Sequence, residues 1–146
     1  MLEEELHYLL MLAFHCSNRE VVARVRKNGL LPGQPKLLEY LHGHDGCTQK
    51  QLGEGCALDK STVTSLLARM EQQGLVYRRT AADDRRVSLV CLTDTGRAQA
   101  ARVRQGCAEV DALAWDGIPP EERAAFLQTM RDIIANLQNK GGKNDK

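Results

Sequence analysis

The sequence lacks a long hydrophobic run. The longest apolar run near the start, residues 9–14, is far shorter than the roughly 20 residues that a membrane-spanning helix needs. The acidic residues Glu3, Glu4 and Glu5 precede this run, and their charge is the wrong sign for a secretory signal. We therefore expect no membrane span and no secretory leader, and we expect a cytoplasmic location.

The sequence also lacks an excess of charge of either sign. It carries 20 Lys and Arg against 19 Asp and Glu, which gives a formal net charge of +1 over 146 residues. This balance excludes a histone-like polycation, an acidic solvating protein and a generic polybasic membrane binder. It does not exclude a nucleic-acid binder with its basic residues on one face, because affinity for phosphate follows local charge. The length is that of one ordinary soluble domain.

The 5 cysteines lack the spacing of a disulfide framework or a zinc ribbon. Their number is odd, they are far apart in the sequence, and no C-x-x-C pair occurs. A reduced compartment fits this pattern, and neither a metal nor a cofactor is expected. His42, His44 and Cys47 are close together, but no second cluster completes a metal site. We expect most of the thiols to behave as small buried hydrophobes: Cys47, Cys56, Cys91 and Cys107.

The apolar spacing predicts a mainly α fold of the α+β class. Six segments have helical periodicity, and two runs rich in β-branched residues form a hairpin, which gives the order α-α-α-α-β-β-α-α. The first helix is expected within the first thirty residues, and the second over residues 36–41. The later elements are a third helix from Thr48, a fourth from Asp59 to the residue before Gly74, strands over residues 75–80 and 87–92, a helix from Thr93 and a helix after Pro120.

The fourth helix has the clearest amphipathic pattern. Its apolar residues fall at positions i, i+3, i+4 and i+7: Val63, Leu66, Leu67 and Met70. A rotation of roughly 100° per residue places small polar residues on the opposite face: Ser61, Thr64, Ser65, Ala68 and Gln72, with Thr62 and Arg69 to one side. Short hydroxyl side chains let a helix lie deep in the major groove of DNA, although such a face can also be merely solvated.

Four arginines follow this helix within residues 78–86: Arg78, Arg79, Arg85 and Arg86. Two helices joined by a tight turn and followed by a hairpin with a charged tip are typical of a winged helix-turn-helix. An arginine-tipped hairpin suits the narrow, electronegative minor groove. The surroundings of the fourth helix therefore favour DNA binding over a solvated face.

On these residues the sequence resembles the multiple-antibiotic-resistance regulator (MarR) family of bacterial transcription factors. Residues 58–64 and 70–76 are similar to the family's recognition helix and the start of its wing, and Asp84-Arg85-Arg86 with the later Leu92, Thr93 and Gly96 matches its wing signature. The resemblance implies a homodimeric regulator, expected to be a repressor, that binds a pseudo-palindromic operator in double-stranded DNA. It also implies that Arg86 reaches the minor groove and that Asp84 stabilises the wing.

The predicted DNA contacts lie on the third and fourth helices and at the wing tip. They are Thr48, Gln49, Lys60, Ser61, Thr62, Thr64, Ser65, Arg69, Arg85 and Arg86. For Arg85 we expect a phosphate contact, with simple solvation as the alternative. No H-E-x-x-H, G-x-S-x-G or P-loop motif is present, so an enzyme is not expected. A winged helix that binds only protein is an alternative, but large apolar residues on the outer face would favour it and this face has hydroxyls.

The terminal helices are predicted to form the dimer. Residues 1–35 and 93–139 are assigned to dimerisation helices, residues 36–92 to the DNA-binding domain and residues 140–146 to a disordered tail. Apolar stripes on the terminal helices of a small domain need a cover, and symmetric pairing of two copies supplies one. Packing of the same stripes within one chain is the alternative.

Two kinds of signal are compatible with the sequence. The resemblance implies a small aromatic or phenolic effector bound between the dimerisation helices and the winged domain, and the candidate ligand-binding residues are His15, Arg19, Tyr40 and His44. The alternative is a thiol-based redox sensor, for which Cys16 beside His15 is the best candidate. The peroxide-sensing branch of the family carries its reactive cysteine nearer the start of the first helix, where this chain has Met11, and this departure disfavours peroxide sensing.

Overall fold

A computed structural model describes residues 1–141 of the chain. The elements are α1 (Leu6–Val25), α2 (Gln34–Gly43), β1 (Cys47–Thr48), α3 (Gln49–Cys56), α4 (Lys60–Gln72), β2 (Val76–Thr80), β3 (Ser88–Leu92), α5 (Asp94–Ala114) and α6 (Pro120–Gly141). Short 3-10 turns at Leu2–Glu4 and Arg26–Asn28 flank α1. The chain divides into two compact units, Met1–Val110 and a second from Asp111 onward. The predicted mainly α class with a small antiparallel sheet is confirmed.

Strand β1 was missing from the predicted order of elements. It pairs antiparallel with β3, with Cys47 opposite Val90 and Thr48 opposite Leu89, so that the sheet has the order β1-β3-β2. A strand of two residues is too short to show the alternation that predicts a strand. Thr48 was instead interpreted only as the N-cap of the third helix. The hairpin itself lies within one residue of its predicted bounds, and Tyr77 pairs with Cys91 at its centre.

The bounds of the terminal helices also differ from the prediction. Helix α1 begins only at Leu6 and ends at Val25, where the 3-10 turn Arg26–Asn28 replaces its last predicted turn. Helix α6 continues through Lys140 and Gly141, the first two residues of the predicted tail. Residues 142–146 of that tail lie outside the described residues.

The core of the first unit gathers around α2, α3, α4 and the sheet. Its largest buried side chains include Leu37, Leu38, Leu41, Leu52, Leu67 and Met70. Burial of an aliphatic side chain of this size contributes about 1.5–3 kcal/mol relative to exposure. On α4, Val63, Leu67 and Met70 are buried and Leu66 is half-buried, so the predicted inward stripe is confirmed.

Helix α5 begins in close contact with the end of the hairpin. The backbone N–H of Thr93 donates to the carbonyl of Leu75 at 3.1 Å. The Thr93 hydroxyl donates to the carbonyl of Gly74 at 2.6 Å and accepts from the N–H of Gly96 at 2.9 Å. Gly96 lies so near the Leu75 carbonyl that a Cβ at this position would overlap the oxygen. The absence of a side chain at Gly96 therefore sets how closely α5 approaches the hairpin.

The terminal helices expose large apolar side chains. On α1 these are Leu6, Leu9, Met11, Leu12 and Phe14, and on α6 they are Phe126, Leu127, Ile134 and Leu137. Helix α6 has no buried residue, and within its own unit Phe126 meets Trp115 edge to face with ring centroids 5.9 Å apart. Between residues 1 and 141, no helix combines the length and the apolar character needed to cross a membrane.

Candidate nucleic-acid interface

Helices α3 and α4 are joined by a tight turn with specific caps at both helix starts. Thr48 and Gln51 form the predicted capping box, since the Thr48 hydroxyl accepts from the N–H of Gln51 at 3.1 Å and the Gln51 side chain accepts from the N–H of Thr48 at 2.9 Å. Ala57 closes α3 in the left-handed region with φ 55°. The N–H of Leu58 then returns to the carbonyl of Gly53 at 2.9 Å. This is the geometry of a helix-turn-helix.

Asp59 is the N-cap of α4, as predicted. Its carboxylate accepts from the N–H of Thr62 at 2.7 Å and from the hydroxyl of Ser61 at 3.0 Å. The hydrogen bond from the Thr62 backbone, with the contact to Ser61, holds the pKa of Asp59 below its ordinary value of 3.8. The carboxylate is therefore charged at neutral pH, where it complements the positive end of the helix dipole.

The outer face of α4 is open to solvent. Lys60, Ser61, Thr64, Ser65 and Arg69 are exposed, while Thr62 is half-buried. Thr48 and Gln49 at the start of α3 are also half-buried. The structure joins the two helices at one point, since Gln49 at the start of α3 donates to the hydroxyl of Thr64 on the outer face of α4 at 2.7 Å.

A chain of hydrogen bonds links this surface to the wing. Arg78 donates from Nε to the Glu71 carboxylate at 2.8 Å and from Nη2 to Oε1 of Gln49 at 2.9 Å. Gln49 in turn donates from Nε2 to Oγ1 of Thr64 at 2.7 Å, and Thr64 donates to the carbonyl of Lys60 at 2.8 Å. Arg78 is therefore not part of the wing tip but ties β2 to α3 and α4.

Arg79 faces the other side of the sheet. Its Nε lies 3.2 Å from Sγ of the buried Cys91, and this hydrogen bond raises the pKa of Arg79 above its ordinary value. Strand alternation explains why the two arginines separate. Val76 points into the core, Arg78 lies on the same face of β2 as Val76, and Arg79 lies on the opposite face. The expected cluster of four arginines is thus reduced to Arg85 and Arg86 at the tip.

The wing tip is ordered by Asp84. Its Oδ1 accepts from the backbone N–H of Arg86 at 3.0 Å and from Nε of the same residue at 3.2 Å. The tip is closed by a hydrogen bond from the N–H of Ala81 to the carbonyl of Val87 at 2.9 Å. The Arg86 side chain is 92% exposed, and Arg85 is exposed as well. Two guanidinium groups thus project from a closed turn.

A cleft of about 500 Å³ lies on α2, away from the wing tip. It is lined by Tyr40 and His44, whose rings stack with centroids 4.1 Å apart, and by Lys36, Cys56 and Arg104. Arg104 pairs with Glu39 at 3.4 Å. A Cβ on Gly55 would overlap the ring of Tyr40, so the ring can occupy this position only because residue 55 has no side chain. Of the predicted ligand-binding residues, the cleft brings together Tyr40 and His44, while His15 and Arg19 lie exposed on α1 and do not line it.

The five cysteines all lie within the described residues 1–141. Cys47 and Cys91 are buried, and Cys56 and Cys107 are half-buried, close to the expected pattern. Burial raises the pKa of Cys56 to about 11 and also raises that of Cys47, so both are protonated at neutral pH. Cys16, the redox candidate, is exposed on α1.

The fold and this surface define the class of protein as a winged helix-turn-helix. A family model described as the MarR family matches residues 28–87. The organic hydroperoxide resistance transcriptional regulator of Bacillus subtilis (strain 168) is 36% identical over 99 residues, which span 65% of this chain and 65% of that protein, just under two thirds of its length.

Solved structures agree with this match. The structure of transcriptional regulator PA3341 is 30% identical, covers 92% of this chain and 99% of its own, and superposes with a TM-score of 0.87. The transcriptional repressor CouR, solved bound to a 23-mer DNA duplex, is 26% identical, covers 91% of this chain and 94% of its own, and has a TM-score of 0.79. The chain belongs to the MarR family, and these relatives are transcriptional regulators, not enzymes.

Proposed function

We propose that the protein is a homodimeric DNA-binding repressor that acts in the cytoplasm on a pseudo-palindromic operator. Helix α4 enters the major groove, and the wing places Arg86 in the adjacent minor groove. The observation that carries this proposal is the pairing of an exposed, hydroxyl-lined α4 with a wing tip whose Arg86 is 92% exposed. The structural similarity to CouR, which is a repressor in complex with DNA, supports the same role here.

The contacts divide into two kinds. The contacts to phosphates come from the exposed cations Lys60, Arg69 and Arg85. Thr48, at the start of α3, is assigned to the same interface. Ser61, Thr62, Thr64 and Ser65 are short enough to let α4 approach base edges. Asp84 supports Arg86 through the hydrogen bonds at 3.0 Å and 3.2 Å, which is the wing-stabilising role. Residues 36–92 form the DNA-binding domain in this assignment.

Dimerisation follows from the apolar surfaces of the terminal helices. Helix α1 exposes five large apolar side chains, Leu6, Leu9, Met11, Leu12 and Phe14, and α6 exposes four more. Large apolar side chains exposed in such number on one helix are typical of a surface that a partner covers. A second copy covers the same surface on both protomers at once and gives the two-fold symmetry that a palindromic operator requires. Residues 1–35 and 93–139 are therefore the dimerisation segments of the proposal.

The effector of the proposal is a small aromatic or phenolic acid bound in the α2 cleft. The stacked rings of Tyr40 and His44 offer a flat surface to an aromatic ring, and Lys36 offers a cation to its carboxylate. Lys36 also lies 5.2 Å from the ring centroid of Phe14 on α1. An anion in the cleft would therefore compete with a contact between α1 and α2, which gives binding a route to the dimerisation helices.

Oxidation of Cys16 is the second candidate signal. The observation that favours it is the similarity to the organic hydroperoxide resistance regulator of Bacillus subtilis, together with the exposure of Cys16. Under this alternative, peroxide replaces the phenolic acid as the agent that releases DNA, and Cys16→Ser abolishes the response.

Release of DNA tests the proposed function. A duplex enriched from a random library by the wild-type protein is expected to dissociate when phenolic acids are added, because the ligand stabilises a state that binds DNA less well. His44→Ala removes half of the stacked pair and is expected to bind the duplex normally but to lose the response. His7→Ala, on α1 outside the cleft, is the matched control and should respond like wild type.

Each outcome of the release experiment decides one part of the proposal. Failure to enrich any duplex contradicts DNA binding. Retention of the duplex in every acid, with release by peroxide only, contradicts the effector and favours Cys16. Equal responses of His44→Ala and wild type place the ligand outside the α2 cleft.

A further inference from the structure

We propose that Gln49 reads an adenine in the major groove and that Arg78 is the positioning residue that holds its amide in the reading orientation. This inference rests on the proposed function, since it concerns the same DNA-binding surface. Its basis is the chain of hydrogen bonds from Glu71 through Arg78 and Gln49 to Thr64.

The donors and acceptors in this chain of hydrogen bonds can be assigned from the chemistry of the side chains. A guanidinium group only donates, so the atom of Gln49 that lies 2.9 Å from Arg78 is the amide oxygen. The nitrogen of the same amide donates to Thr64 at 2.7 Å. Thr64 can accept there because its single hydroxyl hydrogen is donated to the carbonyl of Lys60 at 2.8 Å. If the amide of Gln49 turned over, it would lose the contact with Arg78, and Thr64 could bond the turned oxygen only by giving up the carbonyl of Lys60.

The two contacts leave Gln49 with complementary groups to spare. A primary amide has two N–H groups and two oxygen lone pairs, and Arg78 and Thr64 together use one of each. One N–H and one oxygen lone pair of the same amide remain. In the major groove adenine offers the matching acceptor at N7 and donor at N6, whereas guanine offers two acceptors, cytosine a donor and thymine an acceptor. Adenine is therefore the base that satisfies both groups.

Arg78 acts through Gln49 and not on the DNA. Its Nε is held by Glu71 at 2.8 Å, an ion pair that fixes the plane of the guanidinium and offsets its charge. A planar fork can serve Glu71 and Gln49 at the same time, and a lysine ammonium on a flexible stem does not reproduce this geometry. Arg78→Lys therefore keeps the charge but loosens the amide of Gln49.

Selection from a library of random duplexes tests the inference. Four proteins are compared: wild type, Gln49→Glu, Arg78→Lys and the control Arg97→Lys. Arg97 is a useful control because it is an exposed arginine that pairs with Asp45 at 3.3 Å, outside the chain of hydrogen bonds through Gln49. Circular dichroism and thermal unfolding check that each variant is folded.

The expected results differ by position in the selected sequence. Wild type enriches adenine at one position of each half-site. In Gln49→Glu the carboxylate only accepts, so preference at that position moves from adenine to cytosine by roughly ten- to a hundredfold, the discrimination expected of a good bidentate contact. Arg78→Lys weakens the adenine preference at the same position by about fivefold, since a loosened side chain loses part of that discrimination. Arg97→Lys keeps the wild-type sequence.

Three results would overturn the inference. If Gln49→Glu binds all sequences less well without changing any base preference, Gln49 contacts the DNA backbone. If Arg78→Lys selects the same sequences as Arg97→Lys, Arg78 does not position Gln49. If wild type enriches no sequence at all, the proposed function fails first, and the inference fails with it.

Discussion

Gly96→Ala is expected to destabilise the protein by about 3 kcal/mol, at the upper end of the cost of overpacking. The new Cβ would overlap the carbonyl oxygen of Leu75. That oxygen belongs to the backbone and accepts from the N–H of Thr93 at 3.1 Å, so it cannot move aside as the end of a flexible side chain could. The start of α5 would have to shift away from the hairpin, and the contacts of Thr93 would weaken with it.

The same helix supplies the matched control for this prediction. Gly106 is also buried on α5, but a Cβ there would meet Cβ of Arg24 at 3.6 Å and Cγ1 of Val25 at 3.8 Å, which are ordinary contacts. Gly106→Ala is expected to leave stability unchanged or to raise it by up to about 1 kcal/mol, because alanine favours a helix more than glycine does.

Equilibrium unfolding in urea at one fixed protein concentration compares the two glycine variants, since the stability of a dimer depends on concentration. A Gly96→Ala protein as stable as Gly106→Ala would contradict the close approach of α5 to the Leu75 carbonyl.

Arg86→Ala is expected to weaken operator binding by about 100-fold or more, since each wing loses a charge-assisted contact and a dimer has two wings. The Arg86 guanidinium is 92% exposed and is held by Asp84 at 3.2 Å, so it is available to DNA without a large rearrangement. The number of counterions released on binding should also fall, and the slope of log K against log salt should decrease by about 2 per dimer.

Arg97→Ala is the charge-matched control for Arg86. It removes the same unit charge from an exposed arginine in an ion pair with a carboxylate, at 3.3 Å from Asp45. Gel-shift titrations at several salt concentrations are expected to leave Arg97→Ala close to wild type. Equal binding by Arg86→Ala and wild type would show that the wing does not enter the minor groove.

The amphipathic pattern and the caps carried most of the information about the helix-turn-helix. The spacing of Val63, Leu67 and Met70 identified α4 and its buried face, and Thr48 and Asp59 occupy the cap positions that their side chains predict. These signals are local, because a cap and a helical stripe depend on residues within four positions of one another.

The features that sequence reasoning missed depend on contacts between distant residues. Strand β1 exists only through its pairing with β3, and two residues carry no periodicity of their own. Arg78 contacts Gln49 across 29 positions of sequence. The only local signal was strand alternation, which places Arg78 on the same face of β2 as Val76. The α2 cleft depends on Gly55, because only a residue without a side chain leaves room for the ring of Tyr40. Nothing in the sequence around either residue predicts this contact.

The most direct measurement of the central claim is the sequence that the wild-type protein selects from random duplexes. A homodimer with α4 in the major groove is expected to enrich an inverted repeat whose half-site centres are about one helical turn, roughly 10–10.5 base pairs, apart or a multiple of it. An enriched sequence without two-fold symmetry, or no enrichment above a random pool, would contradict the account of a dimeric, sequence-specific repressor.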